Sequence, residues 1–116
     1  MNEPVRELSV VLPAFDEEAN IAGTVAGAAT VLNGLDLDCY EIIVVDDGSR
    51  DRTGAISDGV AREHDRVRVV HHDVNQGYGA ALQSGFTAAR YGWVFFTDSD
   101  RQFDVEIGRA SCRERV

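Results

Sequence analysis

Glu41-Ile42-Ile43-Val44-Val45-Asp46-Asp47-Gly48-Ser49 is the stretch that decides the fold. Its unbroken β-branched core suits a strand buried on both faces, which parallel sheets require, and the acidic turn that follows marks where the strand stops. Similar short runs lie on either side, at Leu8–Leu12, Val67–His71 and Trp93–Thr97. Pro13, which cannot donate to a ladder, is expected to end the first. Between the runs lie helix-period segments. Asn20–Leu32 carries Ile21, Val25, Ala28 or Ala29, and Leu32 on one face. A second helix is expected from an N-cap at Asp51, burying Ile56 and Val60, and a third over Gly79–Arg90, with Leu82, Phe86 and Ala89 as its stripe. Strand and helix alternating through short connections imply right-handed crossovers and a three-layer α/β/α domain around a mainly parallel sheet. Ligands of such sheets bind at the carboxyl ends of the strands.

Composition narrows the chemistry. The chain has 116 residues, 44% of them hydrophobic and 27% charged, enough for one soluble domain or part of a larger one. The formal charge of −9 repels polyphosphate backbones and argues against nucleic-acid binding. Every basic residue is arginine, so Schiff-base lysines and the phosphate-binding lysine of a P-loop are excluded. Cys39 and Cys112 show no metal-ligand spacing, which fits isolated thiols in a reducing, cytoplasmic compartment. Neither an apolar leader nor a membrane-spanning run occurs within this fragment.

Three of the four runs end in carboxylates: Asp16, Glu17 and Glu18 after the first, Asp46 and Asp47 after the second, Asp98 and Asp100 after the fourth. Such a rim is costly unless a cation or hydrogen-bond donors offset it. In Thr97-Asp98-Ser99-Asp100-Arg101-Gln102, alternate residues project to one side of an extended chain. Asp98, Asp100 and Gln102 would then offer the hard oxygen ligands that Mg²⁺ or Mn²⁺ prefers. A solvated acidic turn is the other reading of the same residues. Asp46 fits either a ligand contact or acceptance of N–H bonds from the Gly48-Ser49 turn. Asp47 is suited to accept the imide or amino hydrogens of a nucleobase. Pro13-Ala14-Phe15 offers a flat wall for that base, or Phe15 simply packs. Asn75-Gln76-Gly77-Tyr78-Gly79 is either a phosphate-binding turn at a helix N-terminus or a tight turn that needs its glycines. His71 and His72, adjacent in a strand, point to opposite faces and cannot share a metal. They read as rim or loop residues. No Ser/His/Asp arrangement is evident in the sequence, nor any GxSxG elbow.

Jointly, Val10–Ile21, Ile43–Thr53, Asn75–Gly79 and Asp98–Phe103, four motifs in order, resemble the family 2 glycosyltransferases of GT-A fold. The resemblance is closest to the dolichol-phosphate and polyprenyl-phosphate sugar synthases, and it covers Leu8 to about Val105. It implies a Rossmann-like, nucleotide-binding half of a GT-A domain and a metal-assisted, inverting transfer from a UDP- or GDP-sugar, with a lipid phosphate as one acceptor class. By the same resemblance Pro13, Ala14 and Glu17 line the nucleoside pocket with Asp47 and Asp98, and Asp98, Asp100 and Gln102 surround the cation. Asp51 and Thr53 are structural. Any catalytic base belongs to sequence outside this chain, as does contact with the inner face of a membrane.

Members of the family are about twice as long, so residues 1–105 are expected to be a truncated, donor-binding part. Glu106–Val116 has almost no apolar face and resembles the translation of a common sequencing-library adapter. A non-native tail over 106–116 is therefore expected, one that adds no core contacts and leaves part of the sheet under-covered. Two further function classes remain: a non-catalytic nucleotide-binding or regulatory module, and a phosphoacceptor receiver domain. The receiver needs a lysine partner, which this chain lacks.

Overall fold

Strands apolar on both faces and helices with one apolar stripe can bury both by layering. The computed structural model, which describes residues 6–97 and 113–114, has that arrangement. Its elements are β1 (Glu7–Ala14), α1 (Ile21–Asn33), β2 (Cys39–Asp47), α2 (Thr53–Glu63), β3 (Val67–His72), α3 (Tyr78–Ala88), β4 (Trp93–Phe96) and β5 (Arg113–Glu114). The sheet order is β3-β2-β1-β4-β5. The first four strands are parallel, and β5 runs antiparallel to β4.

Pro13 does not end β1. The strand continues to Ala14, with Pro13 opposite Val45 and Ala14 opposite Asp46. In a parallel strand, alternate residues address alternate neighbours, and the Val11 carbonyl accepts from the Thr97 amide on the β4 side. Pro13 shares that direction, but the β1–β4 register stops at Val11 and Phe96, so its missing N–H interrupts no rung.

One sheet face, built on Val10, Leu12, Ile42 and Val44, packs under α1 and α2. The other, built on Val11, Ile43 and Val45, packs under α3. Helix α1 buries Ile21, Val25, Ala28 and Leu32, the expected stripe with Ala28 as its third member. The stripes of the other two helices differ from expectation, and for one reason: small residues face the sheet. In α2 the buried positions are Thr53 and Ser57, while Ile56 and Val60 flank the core half-buried. In α3 they are Ala81 and Gly85, with Leu82 and Phe86 to the side and Ala89 just past the helix end. A Cβ on Gly85 would overlap the Val11 side chain, and one on Gly54 would crowd Asp46 and His71. Close approach thus rotates each helix away from its larger apolar residues.

The tail differs from expectation in one respect. Arg113 and Glu114 pair with Val94 and Trp93 and add a two-residue edge to the sheet. Among the described residues no helix is long and apolar enough to cross a membrane.

At the amino end of the sheet a buried carboxylate ties three strands to the end of α3. Glu41, 1% exposed, accepts from Ser9 Oγ (2.7 Å) and the Arg90 amide (2.7 Å) through Oε2. Through Oε1 it accepts from Arg68 Nη2 (2.7 Å) and Arg90 Nε (3.1 Å). Arg68 Nη2 also donates to the Ala88 carbonyl at 2.7 Å. A buried charge is tolerable only when satisfied in this way. Glu41→Ala is expected to lower the unfolding free energy by about 2–4 kcal/mol. Urea denaturation checks this, and an unchanged midpoint would show that the cluster contributes nothing net.

Candidate functional site at the carboxyl rim

The parallel register sets the ends of β1, β2 and β3 side by side, so the loops after them meet. Asp46 stands opposite His71 and Asp47 opposite His72. Successive residues of a strand point to opposite faces, which gives two Asp–His pairs, one above the sheet and one below. On the α2 side His71 Nδ1 lies 2.9 Å from Asp46 Oδ2, and Nε2 lies 2.9 Å from Asp58 Oδ1. On the α3 side His72 Nδ1 lies 2.7 Å from Asp47 Oδ1, and Nε2 lies 2.8 Å from Ser84 Oγ. Neither histidine is an idle rim residue.

Asp47 is 4% exposed and saturated. Besides His72, Oδ1 accepts from the Gln76 amide (2.9 Å), while Oδ2 accepts from Asn75 Nδ2 (3.1 Å) and the Gly77 amide (2.9 Å). The amides of Gln76 and Gly77, at the start of α3, therefore hold an anion, and that anion is the chain's own carboxylate. A base contact by Asp47 requires one of the four donors to give way. Asp46 takes the structural role open to it, accepting the Ser49 amide at 3.1 Å. Gly48 has φ of 70°, and a Cβ there would overlap the backbone of Val74 and Asn75, so the β2 and β3 loops interlock at a position only glycine fits.

The β1 loop is fastened to the same turn. Thr53 Oγ1 accepts the Glu17 amide (2.7 Å), Ser49 Oγ accepts the Asp16 amide (3.0 Å), and Asp51 Oδ2 accepts the Glu18 amide (3.2 Å). In return Asp16 Oδ1 accepts the Arg50 amide (2.8 Å) and Glu18 Oε1 the Arg52 amide (3.2 Å). Asp51 does not occupy the N-cap position of α2, which falls to Arg52, but its Oδ1 accepts the Thr53 amide at 2.9 Å. Asp51 and Thr53 are structural, as expected. Among the described residues the acidic rim is thus satisfied mainly by donors from its own loops.

Among the expected pocket residues, Pro13 and Ala14 are buried at the end of β1. Glu17 is half-buried, its Oε1 accepting from Asn20 Nδ2 at 3.3 Å. These and Asp47 share the rim. Phe15, 37% exposed, lies under the Arg50 guanidinium, 5.5 Å from the ring centroid. Asp98, Asp100 and Gln102 lie outside the described residues, as does Cys112; Cys39 is a free thiol. Among the described residues no three His, Cys, Asp or Glu side chains are grouped to hold a metal.

Ser84, Asp58 and the paired histidines were not singled out as site residues from sequence. The available signal was two dipeptides, Asp46-Asp47 and His71-His72, at the ends of consecutive strands. The Asp47–His72–Ser84 chain also has the Asp/His/Ser order that the sequence did not reveal. Ser84 sits inside α3, where the neighbouring backbone amides are spent on the helix and are not free to serve as oxyanion donors.

The parallel sheet layered by helices is a fold this chain shares with solved GT-A glycosyltransferases. The chain superposes with a TM-score of 0.64 on glucosyl-3-phosphoglycerate synthase from Mycobacterium tuberculosis, solved with Mn²⁺, uridine diphosphate and glucosyl-3-phosphoglycerate. The two are 33% identical over 82% of this chain and 34% of that one. The Glycosyl transferase family 2 model matches residues 9–107, and the chain belongs to that family. It is 41% identical over 100 residues to glycosyltransferase AglD of Haloferax volcanii, covering 85% of this chain and 16% of that protein. It is 34% identical over 105 residues to the dolichyl-phosphate beta-glucosyltransferase of Drosophila melanogaster, covering 85% of this chain. The chain spans 32% of that relative's length.

The rim and the Glu41 cluster at the opposite end of the sheet together dictate a pH profile. Burial alone would raise the Asp47 pKa, but donation from His72, Gln76 and Gly77 more than offsets it and holds the group below its ordinary 3.8. Glu41 is likewise held below 4.5, its burial outweighed by Arg90, Ser9 and Arg68. His71 is raised above 6.5 by its bonds to Asp46 and Asp58. The carboxylates contribute stability that is present above their ordinary values and lost as pH falls through the lowered ones. His71 contributes stability that is present below pH 6.5 and lost as pH rises through its raised value. Thermal melts from pH 2 to 9 should therefore show greatest stability between about 4.5 and 6.5, and Asp58→Asn should flatten the alkaline side.

Proposed function

We propose that residues 1–105 are the donor-binding part of an inverting glycosyltransferase that moves a sugar from a UDP- or GDP-sugar to a polyprenyl phosphate at the cytoplasmic face of a membrane. Residues 106–116 are in this reading a non-native tail, of which Arg113 and Glu114 pair with the edge of the sheet. The supporting observation is the convergence of loops on one rim: Ala14 stands beside Asp46 in register, the loops after β1, β2 and β3 are bonded to one another there, and Thr97, the residue before Asp98 in the sequence, bonds through its amide to the Val11 carbonyl of β1. The names of two relatives support the chemistry, one a glycosyltransferase and the other a dolichyl-phosphate beta-glucosyltransferase.

In this reading Pro13, Ala14 and Glu17 wall the nucleoside, and Asp47 accepts an N–H of the base in exchange for one of its present donors. The described carboxylates are largely spent on their own loops, so the cation falls to Asp98, Asp100 and Gln102, an oxygen-only set suited to Mg²⁺ or Mn²⁺. A divalent ion held by these residues would offset the charge that gathers on the departing diphosphate. The bond from the anomeric carbon to diphosphate breaks, its electron pair leaving with the nucleotide, and an acceptor phosphate oxygen bonds the opposite face. An ionised phosphate needs no strong general base.

Calorimetry with UDP-sugars and GDP-sugars tests the assignment. Binding is expected only with Mn²⁺ or Mg²⁺ and should vanish in Asp98→Ala and Asp100→Ala. Metal-independent binding that survives both substitutions would make the chain a nucleotide-binding module instead, and no binding of either nucleotide would overturn the reading.

A further inference from the structure

We propose that His72, locked by Ser84, is a positioning residue that aims the Asp47 carboxylate and the Asn75–Gly77 turn at the nucleotide pocket. The inference rests on the donor-binding reading above and extends it to residues outside the pocket wall. Its basis is a three-membered relay crossing the α3 side of the sheet, Asp47 Oδ1 to His72 Nδ1 at 2.7 Å and His72 Nε2 to Ser84 Oγ at 2.8 Å. The His72 side chain is 8% exposed.

A carboxylate accepts only, so Nδ1 is the protonated nitrogen facing Asp47. The partner of the other nitrogen then fixes ring orientation and tautomer, which is what Ser84 supplies. Without it the imidazole could rotate and present a carbon to Asp47. The other donors to Asp47 come from the β3–α3 turn, namely Asn75 Nδ2 and the amides of Gln76 and Gly77. His72 alone is held by the sheet. It is therefore the reference point against which the turn is set, while Asn75, exposed on the loop, is the donor best placed to yield to a base.

A purely nucleophilic role for the same three residues would lack backbone oxyanion donors, since those of α3 are spent on the helix. Ser84 also borders an open groove of about 500 Å³, with Val70, Gln76, Ala80 and Thr87 among its other lining residues. Removing its hydroxyl thus opens no internal cavity and gives a clean test.

The full 116-residue chain serves for the experiment, with ¹⁵N NMR of the free protein and calorimetry with UDP and GDP in Mn²⁺. His72 is expected to show a slowly exchanging, downfield Nδ1 proton. His72→Ala should shift the Gln76 and Gly77 amides and weaken nucleotide binding about tenfold, as loss of a charge-assisted hydrogen bond predicts. His72→Gln, whose amide can still donate to Asp47, should restore both. Ser84→Ala should keep the fold, with a melting temperature near that of the parent, yet lose the downfield proton. Unmoved amides and unchanged affinity in His72→Ala would overturn the proposal, as would a downfield proton that persists in Ser84→Ala. If the parent chain binds no nucleotide, the donor-binding reading fails by itself. The amide shifts and the Nδ1 proton still decide the relay, including through Ser84→Ala should His72→Ala not fold.

Discussion

One carboxylate with four donors sets the geometry of the rim. Asp47 closes β2, receives His72 from β3, and takes Asn75 Nδ2 with two backbone amides from the turn before α3. A buried anion must find such partners or become neutral, and here the partners come from two successive segments of the chain, β3 and the turn that follows it. The loops are consequently held by a group that is costly to leave unpaired. Contacts that merely happen to be near would not impose the same order. Gly48 makes the arrangement possible by letting the turn after Asp47 lie against the backbone of Val74 and Asn75.

The same requirement explains how an acidic rim is tolerated in a chain with no lysine. Among the described residues its carboxylates are satisfied locally, Asp16 by Arg50, Glu18 by the Arg52 amide, Asp46 by His71 and the Ser49 amide. Using up these groups within the loops has a functional side: it leaves a fixed frame beside the proposed nucleotide pocket and leaves the proposed cation chemistry to Asp98, Asp100 and Gln102.

The elements were legible where one residue type dominates. Ile42–Val45 could only be a strand covered on both sides, and α1 shows its helical spacing openly. The faces of α2 and α3 were not legible, because apolar spacing points to the largest side chains whereas close packing on the sheet selects Thr53, Ser57, Ala81 and Gly85. At the site, Asp47 and the Asn75–Gly77 turn were each visible, but not their union. A glycine turn before a helix looks the same whether its anion is a ligand or a side chain 30 residues away. The histidines needed strand order to be understood: only once β2 and β3 are neighbours does Asp46-Asp47 fall opposite His71-His72. Ser84, a hydroxyl in mid-helix, carries no local mark of its role.

Seen from α3, the whole face of the sheet has a simple grammar. The residues of β2 that point toward this helix are Glu41, Ile43, Val45 and Asp47, an acid at each end and aliphatic residues between. β3 answers with Arg68, Val70 and His72, of which Arg68 reaches back to Glu41 and His72 pairs with Asp47. Helix α3 has 11 residues and so a length of about 16 Å, against about 20 Å from Glu41 to Asp47 along an extended strand. The two carboxylates therefore stand near its two ends. Asp47 accepts the amides of Gln76 and Gly77, where the helix begins and its dipole favours an anion. At the other end an anion would be repelled by the last carbonyls, and Glu41 meets them through a cation: Arg68 donates both to Glu41 and to the Ala88 carbonyl. Apolar packing at Ala81 and Gly85 presses the helix onto the strands but leaves sliding along them weakly opposed. The end anchors oppose it, since any slide would strand a buried charge. The register of α3, and with it the placement of the Gln76–Gly77 turn at the rim, is in this way set by polar groups at positions that apolar patterning leaves blank.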